Sequence, residues 1–119
     1  MKSKFKEENP DKKKRKEICD SAIRNNPGKI PVILERDETS KLAQIKKTRY
    51  ILEPNFTIAE FLLLIRKSLK LNEGEALFLS AKGKYNLTGE NTMGDIYNKY
   101  KDSGDGFLYI VYSSVLVYG

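Results

Sequence analysis

Histidine is absent from this chain and cysteine occurs once, at Cys19, so no Cys-His or Ser-His pair exists to activate a nucleophile. The lone cysteine cannot close an internal disulfide, which suits a reducing compartment. Its position in a predicted helix reads as a small core residue rather than a reactive thiol. No apolar run approaches about 18 residues, so neither a membrane-spanning helix nor a signal-peptide h-region is expected. With 39% hydrophobic and 32% charged residues over a length of 119, the composition fits one soluble cytoplasmic domain that can bury a core.

Negative charge is scarce at the amino-terminal end. Residues 1–29 carry ten Lys or Arg against five Asp or Glu, whereas residues 30–119 carry twelve against eleven. The densest stretch is Lys12, Lys13, Lys14, Arg15 and Lys16. Such a run attracts nucleic acid, anionic lipid headgroups or acidic protein surfaces, or is simply a solvated helix face. A groove for single-stranded nucleic acid interleaves aromatics with its cations, and this cluster has none, so nucleic acid is not expected as a partner.

Periodicity divides the chain into a basic helical segment, residues 1–28, and a body, residues 29–119. Asn9-Pro10 reads as a helix start, Ile18, Cys19, Ala22 and Ile23 as its apolar stripe, and Asn25 to Gly28 as its stop. Lys29 to Glu35 is a β-branched run with Pro31 near its start, and Arg49 to Glu53 alternates Arg49, Ile51 and Glu53 against Tyr50 and Leu52. Two strands so closely connected are expected to pair antiparallel. Thr57-Ile-Ala-Glu60 is a capping box ahead of a helix whose Ile58, Phe61, Leu62, Ile65 and Leu69 share a face. A strand at Ala76 to Ser80, a turn-rich stretch from Lys82 to Asn91, a short helix opened by Thr92 and a last strand at Phe107 to Tyr112 follow. The order is that of an α+β fold, a ubiquitin-like β-grasp with an additional N-terminal helical segment.

The sequence given closes on Gly119 after an apolar aromatic run. Only glycine lets a narrow catalytic channel close on the backbone, so this ending points to the terminal carboxylate as a reacting group. Together with Lys29-Ile-Pro-Val-Ile33, Arg49-Tyr-Ile-Leu52, Phe61-Leu-Leu-Leu-Ile-Arg-Lys67, Ala76-Leu-Phe78, Thr92-Met-Gly-Asp-Ile-Tyr97 and Gly106-Phe-Leu-Tyr109, it gives six ordered motifs and a Tyr-Gly terminus. On these residues the chain resembles the ubiquitin-like autophagy modifiers, the family of the GABA receptor-associated protein and microtubule-associated protein light chain three.

The resemblance implies a function. A cysteine protease exposes the terminal glycine and later removes the lipid. An activating enzyme and a conjugating enzyme pass the glycine, here Gly119, to phosphatidylethanolamine on autophagosomal membranes. The chain is then cytoplasmic until conjugated, is not itself an enzyme, and requires no metal or cofactor. The family also binds receptors carrying an aromatic and an aliphatic residue three apart, by adding the peptide to the edge of the second strand. By resemblance the aromatic pocket draws on Pro31, Arg49, Ile51 and Phe107, and the aliphatic pocket on Tyr50, Leu52, Phe56, Phe61, Leu64 and Ile65. Lys47, Arg49 and Arg66 would receive flanking acidic residues. The competing reading is a basic adaptor that binds microtubules or nucleic acid through Lys12 to Lys16 without conjugation.

Five features depart from the family pattern. The segment Ile23-Arg-Asn-Asn-Pro27 is one residue shorter, and Glu53 intervenes before Pro54, which places an acidic group beside the aliphatic pocket. Asp11 stands where an aromatic usually follows the early proline. Residues 82–90 lack the usual apolar and proline pattern, and the tail Val115-Leu-Val117 is unusually apolar.

Overall fold

The computed structural model describes residues 2–117. Its elements are α1 (Lys4–Glu8), α2 (Lys12–Asn25), β1 (Ile30–Arg36), β2 (Arg49–Leu52), α3 (Ile58–Leu69), β3 (Phe78–Ala81), β4 (Tyr85–Asn86), α4 (Met93–Tyr100) and β5 (Leu108–Ser113). The strands form one mixed sheet in the order β2-β1-β5-β3-β4, with β1 and β5 parallel and every other pair antiparallel. This is the expected β-grasp arrangement with helices added at the N-terminus.

Both faces of the two central strands are covered, which is why β1 and β5 read as continuous apolar runs rather than as alternating ones. Val32 and Leu34 of β1, with Leu108, Ile110 and Tyr112 of β5, join Ile58, Phe61 and Ile65 of α3 in the main core. On the opposite face Ile33, Phe107 and Tyr109 pack with Phe5 of α1 and Cys19 of α2 in a second cluster. The two clusters alternate residue by residue along β1, the period-two signature of a strand buried on both sides.

Pro31 is tolerated in this central strand for a positional reason. The Leu34 amide donates to the Thr48 carbonyl, so alternate residues of β1 turn their polar groups toward β2, and Pro31, opposite Ile51, does not. Its nitrogen faces the β5 side, where pairing begins only at Val32 and Leu108.

The N-terminal segment differs from expectation. It is two helices, not one, and Asn9 ends α1 instead of opening α2: both its backbone and its side-chain amide donate to the Phe5 carbonyl. Pro10 blocks helical conformation at the residue before it. Asp11 is the true N-cap of α2, accepting from the amides of Lys13 and Lys14. A short carboxylate at this position satisfies amides of the first turn that would otherwise lack a partner. The turn-rich stretch holds β4, a two-residue strand too short to show periodicity, and β3 begins two residues later than expected.

Candidate functional site

Sheet order leaves β2 at an edge, paired among the described residues with β1 alone. Its burial alternates, with Arg49 and Ile51 exposed and Tyr50 and Leu52 turned inward. The two faces of this edge carry different surfaces. On the α3 side the Tyr50 ring packs edge-on against Phe61 with centroids 5.2 Å apart, and Phe56 meets the same ring at 6.2 Å. On the other side the Arg49 guanidinium lies 5.5 Å from the Phe5 ring, which stands edge-on to Phe107 at 5.4 Å. A strand laid against this edge sends successive side chains to opposite faces. Residues three apart therefore point one to each surface.

The expected lining residues separate into floor and rim. Tyr50, Phe61 and Ile65 are buried members of the main core, and Pro31 and Phe107 are buried as well. Leu52 and Phe56 are half-buried and Leu64 is exposed, so these three present the apolar surface on the α3 side. Ile51 and Arg49 do so on the other. Two residues were missed. Leu63 is 69% exposed beside Leu64, outside the helical stripe that marked the core. Phe5, a single aromatic among charges, supplies the ring that covers Phe107.

Cations rim the edge. The loop before β2 is fixed from beneath by the buried Tyr112, whose hydroxyl donates to the Ala43 carbonyl at 2.7 Å and accepts from the Ile45 amide at 2.9 Å. That pin sets the run leading into β2, where Lys47 Nζ lies 4.8 Å from the Tyr50 ring. Arg66 is partly occupied. Its two terminal nitrogens donate to the carbonyls of Glu75 and Asn72, each at 2.8 Å, which ties the end of α3 to the following loop. Its charge and remaining N–H groups stay available, while Lys47 and Arg49 lie over the rings of Tyr50 and Phe5 at the edge itself.

The basic run also presents fewer charges than its sequence suggests. Arg15 is buried, with Nε donating to Asp105 at 2.9 Å and Nη1 to the Asn9 carbonyl at 2.8 Å. Burial is the largest single influence and works against its charge, but the Asp105 hydrogen bond together with the nearby negative charge of Asp105 and Asp102 outweighs it and raises its pKa. Lys16 pairs with Asp20 at 2.9 Å. The solvated cations of the run are thus the four lysines, one already paired.

Asp105 is the centre of this junction. It also accepts from the Tyr109 hydroxyl and from the Phe107 amide at 2.9 Å. Burial and the bond to Asp105 push the Tyr109 phenol pKa up. Cys19 lies alongside, and burial pushes its thiol up to about 11, as befits a core residue. Gly106 next to it has φ +86°, a conformation that favours glycine, and a Cβ there would come 3.2 Å from the Cys19 sulfur, a tight contact.

Among the described residues no group of His, Cys, Asp and Glu is placed to hold a metal, and no helix is long and apolar enough to cross a membrane. Gly119 lies outside the described residues.

Known proteins resemble the chain over its length. Residues 14–119 match the family described as "Autophagy protein Atg8 ubiquitin like". Autophagy-related protein 8D of Oryza sativa subsp. japonica is 37% identical over 115 residues, which cover 97% of this chain and 96% of that protein. Autophagy-related protein 8 of Coccidioides immitis is 37% identical over 119 residues, 100% of this chain and 99% of the other. The crystal structure of Trypanosoma brucei ATG8 superposes with a TM-score of 0.87 at 28% identity, covering 100% of both chains.

Proposed function

Because this chain belongs to the Atg8 family of ubiquitin-like autophagy proteins, we propose that it is a modifier joined through Gly119 to phosphatidylethanolamine on autophagosomal membranes. Conjugated there, it recruits receptors that carry an aromatic-x-x-aliphatic motif. The observation that carries the receptor half is the open edge of β2 between two apolar surfaces on opposite faces. The chain supplies the acyl group and no catalysis, so an activating enzyme, a conjugating enzyme and a processing and delipidating cysteine protease are its partners. Residues 1–28 act as an accessory segment on residues 29–119. The protein is cytoplasmic before conjugation. Incubation with the family's activating and conjugating enzymes, ATP and phosphatidylethanolamine liposomes is expected to yield a membrane-bound form. Recovery of unmodified protein alone overturns the reading.

Receptor peptides are expected to bind with micromolar affinity, about 8 kcal/mol. Backbone pairing along β2 provides part of this, and burial of the two anchors the rest. Leu64 is exposed and Leu52 is half-buried at the margin of the core, so changing both to Ala should weaken binding about tenfold, about 1.4 kcal/mol. Calorimetry on the double variant checks this, with a retained cooperative unfolding transition above the assay temperature as control. Equal affinity in variant and parent would remove the α3 side from the site.

The lysine run gives a weaker contact. Each basic residue near an anionic surface contributes about 1 kcal/mol at low salt, and a screening length of about 8 Å at physiological ionic strength reduces it. Changing Lys12, Lys13, Lys14 and Lys16 to Gln should abolish co-sedimentation with anionic vesicles at low salt while leaving peptide binding alone. If variant and parent sediment equally, the run is only a solvated face.

A further inference from the structure

Two of the stretches that depart from the family pattern, residues 82–90 and the apolar tail, meet in space. Asn86 lies in β4, at the outer edge of the sheet. Its Nδ2 donates to the Val117 carbonyl at 2.8 Å, and its Oδ1 accepts from the Val117 amide at 3.0 Å. A carboxamide offers the same donor and acceptor as a peptide group, so Asn86 holds Val117 as a neighbouring strand would, through backbone alone. A further bond from the Val115 amide to Ser113 Oγ at 3.2 Å shapes the turn out of β5.

The tail is held by these polar contacts rather than by burial. Val115 and Leu116 remain 59% and 49% exposed, above a cavity of about 170 Å³ that they line with Asp37, Ser80, Val111 and Ser113. Two solvent-exposed hydrogen bonds make a modest, reversible attachment.

We propose that the Asn86 carboxamide latches the chain's own tail onto the β4 edge, two residues short of Gly119, and that an enzyme acting on Gly119 must first release it. Release frees the Val117 backbone to pair within an enzyme's groove, and Val115 and Leu116 are already exposed to dock there. The latch rests on the geometry; its effect on conjugation rests on the function proposed above.

Amide hydrogen exchange read by NMR tests the latch on the full chain. In Asn86→Ala the Val117 amide should exchange about tenfold faster, equivalent to about 1.4 kcal/mol. The Leu87 amide, bonded to the Leu79 carbonyl at 3.0 Å, reports whether β4 stays in place. If Leu87 also loses protection, Asn86→Asp decides, because it keeps the acceptor for the Val117 amide, loses the donor and should give intermediate exchange. Unchanged Val117 exchange in both variants overturns the latch. The gating role is read separately, from the initial rate of thioester formation with the family's activating enzyme and ATP, which should rise severalfold in Asn86→Ala. Faster exchange with an unchanged rate overturns the gating role. A parent that forms no thioester defeats the proposed function and with it the gating role, while exchange still decides the latch.

Discussion

Replacing Asp105 with alanine is expected to lower the unfolding free energy by about 3 to 5 kcal/mol, the cost of breaking a buried ion pair from one side. The Asp105 side chain is fully buried and receives Arg15, the Tyr109 hydroxyl and the Phe107 amide. Its loss strands the Arg15 guanidinium, itself buried, with only the Asn9 carbonyl as partner. Asp105→Asn keeps the shape but offers a single acceptor oxygen and no charge, so it should fall between parent and alanine. Urea unfolding, with the midpoint shift read at constant slope, measures the difference. A change below about 1 kcal/mol would mean that the pair is replaced by water or by a shifted Arg15.

The same change reaches the β2 edge. Arg15 anchors α2, and its bond to the Asn9 carbonyl also fixes the end of α1, whose Phe5 covers Phe107 and sits under Arg49. The Phe5 amide is itself held by the buried Glu35 at 2.8 Å. Lys6 joins Asp102 at 2.6 Å on the turn that carries Asp105. Burial opposes ionisation of Asp102, yet Lys6 and the amides of Asp105 and Gly104 hold its pKa below the ordinary aspartate range. The N-terminal helices are thus attached by charges buried against the sheet as well as by apolar contact.

Where the sequence was legible, a local signal matched the tertiary demand. The Thr57–Glu60 capping box is present with both of its bonds, and the apolar stripe behind it is the face α3 buries. The alternation of Arg49, Tyr50, Ile51 and Leu52 places each side chain on the face it implies. Illegible features depend on partners remote in sequence. Nothing local distinguishes Arg15 from the lysines around it; its partner Asp105 lies ninety residues away. Arg66 reads as a free cation until the loop it ties back is seen. Asn9 and Asp11 both suit an N-cap, and the choice between them turns on α1, a five-residue helix too short to show a period. Asn86 pairs with a tail thirty-one residues on, so neither stretch announces the other.

Conjugation through Gly119 is the central proposal for this chain. In the liposome reaction, intact-mass and tandem mass spectrometry should place phosphatidylethanolamine on the Gly119 carboxyl of the parent. Gly119→Ala should lose conjugation by about a hundredfold, because a methyl group that displaces the reacting carbonyl by about 1 Å in a narrow channel costs a factor of that order. Both proteins should bind receptor peptide equally, since the β2 edge is untouched. Lipid found on another residue, or conjugation of Gly119→Ala at the parental rate, would contradict the assignment.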